Sequence, residues 1–233
     1  MNEVARIRNA YEKRKQNPDL SNLYSFFNKS ALFISQGRER AILEVLSSSN
    51  IRDISNKMIL DLGCGSGGIL RDFLKYGATP ENCYGIDLLP DRIESAKKLS
   101  PNIEFRCGNA EKLPYENYIF DIVLSFTVFS SILDREMKQN IANEMLRVTK
   151  PKGIILWYDF YLNNPRNRDV RGIKRKELRE LFDNCNIYVN RVTLAPPIVR
   201  MIAPYSWTIS YILEKLKMFN THYIGIISKR EHP

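Results

Sequence analysis

The chain has 233 residues, 44% of them apolar and 26% charged, with a formal net charge of +9. That suits one globular α/β domain with a well-buried core. No apolar run approaches the roughly 18 to 20 residues of a membrane span, and Cys64, Cys83, Cys107 and Cys185 form no C-x-x-C pair, which argues against a disulfide framework or metal site. The polar opening MNEVARIRNAYEKRKQ carries no secretory or transit signal, so a cytoplasmic protein with reduced thiols is expected.

Residues 1–57 read as a helical preface, in which LSNLYSFFNKSALFISQGRERAILEVL carries apolar residues at helical intervals. From 58 onward strands and helices alternate. MILDL is a short buried strand and GGILRDFLKYG a helix closed by Gly77. CYGIDL is the second strand, and PDRIESAKKLS is a helix with Pro90 near its start. IEFRC and FDIVLSF are strands three and four. DREMKQNIANEMLRVTK is a long helix with Ile141, Met145 and Val148 on one face, and GIILWYDF is strand five. KRKELRELFDNC is a helix, IYVNRVTL strand six, and PPIVRMIAPYSWTISYILEKLKMF an apolar helical region broken by Pro204. THYIGIISK closes the sheet as strand seven. Strands alternating with helices of this length predict a three-layer α/β/α sandwich around a mostly parallel sheet, with a ligand at the switch point of strand order. The expected organisation is one domain: the preface at 1–57, a cofactor-binding core at 58–160 and a substrate-side part at 161–233.

The string ILDLGCGSGG at 59–68 allows two cofactors. Gly63, Gly65 and Gly68 fit the G-x-G-x-x-G of a nicotinamide-binding turn. Gly63, Gly65 and Gly67, led by Asp61, fit D-x-G-x-G-x-G. In both, glycines let the backbone approach the ligand and a helix N-terminus points free N–H groups at it. Asp87, ending strand two, would accept from ribose hydroxyls in either case. Position and charge separate the two. Nearly sixty residues precede the loop, and a carboxylate at Asp61 disfavours a pyrophosphate while favouring an ammonium.

Further strings decide the matter. ILDLGCGSGG, YGIDLLPDRIESAKK, CGNAEKLPY, FDIVLSFTVF and MLRVTKPKGIILWYDF, taken in this order and spacing, resemble the SAM-dependent methyltransferases of the seven-stranded Rossmann-like class. The likeness is to small methyltransferases related to quinone biosynthesis, and it is strong over about residues 55–160. The resemblance implies S-adenosyl-L-methionine (SAM) as cofactor, S-adenosyl-L-homocysteine (SAH) as product, and an antiparallel last strand. It places Asp61, Gly63, Cys64, Gly65 and Gly67 around the methionine end, Asp87 on the ribose and Leu88 on the adenine. Asn109 and Ala110 fall at the adenine edge, and Ser125 near the methionine portion. Two positions depart from the family pattern. Asn109 stands where Asp is common, though an amide oxygen can still accept from the adenine amino group. Lys152 stands in the first place of a usual glycine pair.

The acceptor is less legible. His222 and His232 are the only histidines, and neither follows strand four, where many relatives carry one. Asp159 is the candidate base or substrate ligand, with Tyr158 beside it; the alternative for Asp159 is a local cap. Tyr11, Tyr24, Tyr161, Arg168 and Arg171 are candidate acceptor contacts. Tyr11 and Tyr24 would act from a lid in which Arg14 could share, while Phe27 and Phe33 are expected in the core. The basic run NNPRNRDVRGIKRKELRE, including Arg166, would hold a phosphate or carboxylate or simply be solvated. The apolar 196–219 region is expected to pack on the sheet or cap the acceptor, and membrane-surface docking is the less favoured reading. The expected partner is a small-molecule or glycan acceptor, phosphorylated or lipid-linked among the options. A nucleic-acid acceptor is disfavoured by the lack of aromatic interleaving. A non-catalytic SAM-binding module is the alternative, and oligomeric state does not follow.

Overall fold

A computed structural model describes residues 2–16, 23–164 and 167–230. Seven strands form one sheet: β1 (Ile59–Leu62), β2 (Cys83–Asp87), β3 (Glu104–Cys107), β4 (Phe120–Phe126), β5 (Thr149–Phe160), β6 (Cys185–Leu194) and β7 (Asn220–Lys229). Their order is β3-β2-β1-β4-β5-β7-β6, and β7 alone runs antiparallel to its neighbours. The order reverses between β1 and β4, so the loops leaving these two strands diverge and open a crevice at their C-terminal ends.

The central strands are buried on both faces, as a parallel sheet requires, and each face has its own helices. In β1, Leu60 and Leu62 point to the side covered by α1 (Glu3–Lys15), α5 (Arg135–Val148) and α6 (Arg175–Leu181). Ile59 points to the side covered by α2 (Lys29–Ser48), α3 (Gly68–Lys75) and α4 (Pro90–Leu99), and Asp61 follows it by the two-residue alternation of a strand. The helix ends follow local chemistry. Asp134 caps α5 by accepting from the Met137 amide at 2.7 Å, and Ile141, Met145 and Val148 are its buried stripe. Pro90 opens α4, and Gly77 sits at φ 103° after α3.

Several expectations need correction. The helical preface is two separate helices in different layers, and only α1 lies on the cleft side. Phe33 is buried, but Phe27 is fully exposed in the turn before α2. Strand β5 begins at Thr149, four residues earlier than expected. Gly153 there passes so close to β4 that a Cβ would lie 2.9 Å from the carbonyl oxygens of Phe120 and Asp121. Only this second position of the glycine pair is crowded, which explains how the exposed Lys152 is tolerated. The apolar 196–219 region is helical and broken at Pro204 as expected, forming α7 (Pro196–Ile202) and α8 (Trp207–Leu216). Part of Tyr24's segment, Arg166 and His232 lie outside the described residues.

Candidate active site

A cleft opens at the ends of β1, β2 and β4. Its floor is built by the glycine loop. The amides of Gly63 and Cys64 both donate to the Ile86 carbonyl, at 2.8 and 3.0 Å, which ties the loop to β2. The Gly65 amide donates to Asp87 Oδ2 at 2.8 Å, and the Leu89 amide to Asp87 Oδ1 at 2.9 Å. Gly67 caps α3 at φ 79°, and a Cβ there would meet the Phe105 ring at 2.8 Å. Gly68 is an ordinary helical residue with room for a side chain. Glycine is therefore structurally required at the third position of D-x-G-x-G-x-G and not at the last position of G-x-G-x-x-G.

Asp61 is 1% exposed, and neither carboxylate oxygen has a partner. Burial, reinforced by the charge of Asp87, pushes its carboxyl well above the usual carboxylate range, and Arg38 on α2 pulls the other way. Arg38 pairs with Asp72 at 3.7 Å, while its buried Nε has no partner. Ser125, at the end of β4, is another fully buried group with an unpartnered oxygen. Buried polar atoms without partners are uncommon in folded proteins. An ammonium against Asp61 and a carboxylate near Arg38 would complete this cluster, so the residues present fit the amino-acid end of SAM.

Asp87, Leu88, Asn109 and Ala110 line the cleft together with Gly63. The Asn109 side chain is held by Glu111: Oδ1 accepts from the Glu111 amide at 3.1 Å, and Nδ2 donates to Glu111 Oε2 at 2.8 Å. Cys64, Gly65, Gly67, Asp61 and Ser125 sit in or behind the loop and strand ends and do not line the cleft. Tyr11 and Ile7 of α1 form its roof. The helix is strapped at both rims. Arg6 Nη2 donates to the Ser131 carbonyl at 2.6 Å and Lys15 pairs with Asp91 at 3.0 Å. The Tyr11 ring lies between Arg14 and Arg92, whose guanidinium carbons are 4.9 and 4.3 Å from its centroid.

The candidates on β5 are placed differently. Tyr158 and Asp159 point to opposite faces of the sheet. Tyr158 is buried on the α2 side, stacked on Phe126 and His222, with its hydroxyl 2.9 Å from Thr193 Oγ1 and burial raising its pKa to about 12. Asp159 is fully buried on the other side, accepting from the amides of Ser130 (3.0 Å) and Phe160 (2.8 Å), and burial raises its pKa to about 6. Neither lines the cleft. The Tyr161 hydroxyl donates to the Asn220 carbonyl at 2.6 Å and its ring stacks on Tyr223, away from the cleft. Tyr24 is exposed and off the cleft. Arg168 and Arg171 are exposed; the Arg171 amide donates to the Ser130 carbonyl at 2.8 Å, which brings this segment to the rim. His222 is buried, 3.0 Å from Thr221 Oγ1, and burial lowers its pKa to about 3, so it is a neutral ring within the fold.

Sequence reasoning missed Arg38, Arg92 and the Thr127–Val128 turn. Thr127 adopts φ 56°, a costly conformation for a β-branched residue, where β4 meets the cleft. Its amide donates to the Tyr158 carbonyl at 2.7 Å, which helps to hold it there. No local pattern marks these residues, since each reaches the site from a different element.

Residues 60–157 match the family model described as a methyltransferase domain. Norajmaline N-methyltransferase of Rauvolfia serpentina is 32% identical over 157 residues, which cover 62% of this chain and 52% of that protein. The 2-methyl-6-phytyl-1,4-hydroquinone methyltransferase of Synechocystis is 31% identical over 129 residues, covering 54% of this chain and 39% of that protein. The matched stretches thus span about half or less of these relatives. Geranyl diphosphate C-methyltransferase of Streptomyces coelicolor, solved with SAH, has the same fold, with a TM-score of 0.59 at 14% identity over 82% of this chain and 77% of that one. The matched residues end where β5 carries the sheet past the cleft, and they hold the glycine loop, Asp87, Asn109 and the β4 turn. Residues 60–157 thus match a methyltransferase domain, and they lie in a seven-stranded Rossmann-like fold shared with solved SAM-dependent methyltransferases.

Proposed function

We propose that the chain is an active SAM-dependent methyltransferase whose acceptor is a small or medium-sized molecule, a hydroxyl of a sugar, lipid-linked glycan or secondary metabolite being the favoured class. The observation that carries the cofactor half of this reading is the buried, unpartnered Asp61 carboxylate at the end of β1. The bound cofactor supplies an electrophilic methyl group on a sulfonium. Asp61 would hold its ammonium, Arg38 its carboxylate and Asp87 its ribose, with Leu88 and Ala110 against the adenine and Asn109 at its edge. Asp87 already accepts two amides, and the second lone pair of each oxygen remains for the ribose. Helix α1, strapped at both rims, would exclude water and align the acceptor, which is the protein's main contribution to an in-line displacement. Arg168 and Arg171 at the rim would receive an anionic group of the acceptor.

We assign Asp159 a positioning role. By accepting from the Ser130 amide it fixes the turn that carries Ser131 and, through Arg6, the α1 lid. Asp87 is the one carboxylate among the described residues lining the cleft, and it is committed to the loop and ribose. The acceptor must therefore lose its proton to solvent or to a group of its own. That same shortage of a base favours, as a second reading, a SAM-binding module without transfer activity. Free thiols at all four cysteines fit a cytoplasmic location.

The test is transfer of labelled methyl from SAM to hydroxylated metabolites, glycans and total RNA. Label in a small hydroxylated acceptor supports the proposal, and label confined to RNA overturns the acceptor class. SAM binding without transfer to any of them favours the second reading.

A further inference from the structure

The outward face of α7 and α8 is apolar, and the methyl-transfer site makes no use of it. In α8 apolar side chains stand on both faces, Leu213 and Trp207 packing inward. Ser210 is fully buried, its hydroxyl donating to the Ser206 carbonyl at 3.0 Å, while Ile209, Ile212 and Leu216 stand 52, 52 and 58% exposed on successive turns. Met201 and Tyr205 extend the surface from α7 and the turn after it, at 72 and 90% exposure. The start of α2 adjoins it, because Lys29 Nζ donates to the Pro204 carbonyl at 3.2 Å and Phe33 meets Trp207 edge-on at 5.1 Å. Apolar side chains grouped in this way mark an interaction surface.

The charges around it identify the partner. Between residues 196 and 219 the sole carboxylate is Glu214, which is drawn inward to Arg40 at 3.3 Å with its side chain 12% exposed. Arg200, Lys215 and Lys217 are exposed around the same helices. Arg40 and Lys215 both lie over the Tyr211 ring, 5.5 and 5.4 Å from its centroid. The face is thus apolar with a cationic border and no exposed carboxylate among its helices. A second copy docked through it would set these cations against their own counterparts. No described helix is long and apolar enough to cross a membrane, so attachment would be peripheral.

We propose that this face docks the protein on a membrane surface bearing anionic lipid headgroups. Ile209, Ile212, Leu216, Met201 and Tyr205 enter the boundary between headgroups and acyl chains, and Arg200, Lys215 and Lys217 meet the lipid phosphates. The geometry gives docking a use. Helices α7 and α8 bridge the end of β6 to the start of β7, where Leu194 pairs with Asn220, and His222 beside it pairs with Phe160 at the end of β5. The patch therefore lies at the strand-end edge on which the cofactor cleft opens.

The experiment is sedimentation of the purified chain with vesicles of equal phosphatidylglycerol and phosphatidylcholine, and with phosphatidylcholine alone. The wild type is expected to pellet with the anionic vesicles and far less with the neutral ones. The double variant Ile212→Ser, Leu216→Ser should weaken partitioning about tenfold, since two apolar anchors are lost. Lys215→Glu, Lys217→Glu should weaken it comparably, and Leu99→Ser, at an exposed leucine on α4, should leave it unchanged. Absence of pelleting overturns the proposal, as does wild-type pelleting by both double variants. A wild-type dimer that Ile212→Ser, Leu216→Ser makes monomeric also overturns it, assigning the face to a second copy. SAH affinity is measured on the same samples. Loss of SAH binding by the wild type would count against the methyl-transfer reading and leave the docking result standing.

Discussion

Buried polar groups are treated in opposite ways in the two halves of the sheet. At the ends of β1 and β4, Asp61 and Ser125 are sealed from solvent with no partner. At the ends of β5 and β7, Tyr158 bonds to Thr193, Asp159 to two amides, Tyr161 to Asn220 and His222 to Thr221. Burying a polar group without a hydrogen bond costs more than a bond returns. The first half thus carries a buried acid that a ligand would satisfy, whereas in the second half the titratable groups are partnered and only neutral atoms such as Asn220 Oδ1 lack a bond. The contrast separates residues that await a cofactor from residues that hold the fold, although all of them sit at strand ends and look alike in sequence.

The largest expected effect is at Asp87, which belongs to both categories because it braces the loop and faces the cleft. Asp87→Ala should weaken SAH binding by about 1.5 to 3 kcal/mol, the worth of charge-assisted hydrogen bonds, and should also lower thermal stability. Calorimetric titration and a melting curve measure the two losses. An unchanged affinity would remove Asp87 from the cofactor site.

His222 offers a test of the second half. Its folded pKa of about 3 lies below the ordinary 6.5, so the unfolded chain binds the extra proton first as pH falls. Its contribution is fully present above pH 6.5 and is lost progressively toward pH 3. His222→Phe removes that dependence. The stability advantage of the wild type over the variant should shrink by about 2 kcal/mol between pH 7.5 and pH 5, read from urea unfolding. Asp159 has a raised pKa and slopes the other way between pH 3.8 and about 6, but that contribution is common to both proteins and cancels. A constant difference across this range would mean that His222 is not buried as a neutral ring.

The smallest effect is expected at Asp159. In Asp159→Asn one amide N–H would face a backbone N–H, so stability should fall by about 1 to 1.5 kcal/mol with SAH affinity unchanged. Loss of SAH affinity without loss of stability would instead connect Asp159 to the cleft.

The glycine loop and Asp87 were legible because their chemistry is local. A strand, a turn that needs glycine and a helix N-terminus follow one another within ten residues, and Asp87 ends the adjacent strand. The alternation of strands and helices gave the layers and the order of elements for a similar reason, while the antiparallel β7 followed from the family resemblance alone. The acceptor side was harder to read. Tyr158, Asp159 and Tyr161 were singled out for standing after strand five, but which face each one takes depends on register, and the faces proved to be occupied by Thr193, Ser130 and Asn220. Arg38 and Arg92 reach the site from helices on the far side of the sheet and beside β2, and no spacing in the chain connects them to Asp61 or Tyr11. Phe27 looked like part of an apolar helix, yet the helix begins two residues later, at Lys29, and leaves the ring outside.

The most direct test of the account is Asp61→Asn, with SAH affinity and thermal stability measured side by side across pH. In the free protein burial and the charge of Asp87 hold the Asp61 proton on, whereas a ligand ammonium favours the ionised carboxylate. Wild-type affinity should therefore rise with pH, with a proton released on binding. In Asp61→Asn the affinity should drop by at least about tenfold and lose that slope, while stability holds at low pH and exceeds the wild type's as pH rises, because the cost of keeping a buried acid protonated is gone. An unchanged affinity, or a loss of stability with affinity intact, would place Asp61 among the groups that hold the fold and contradict the account.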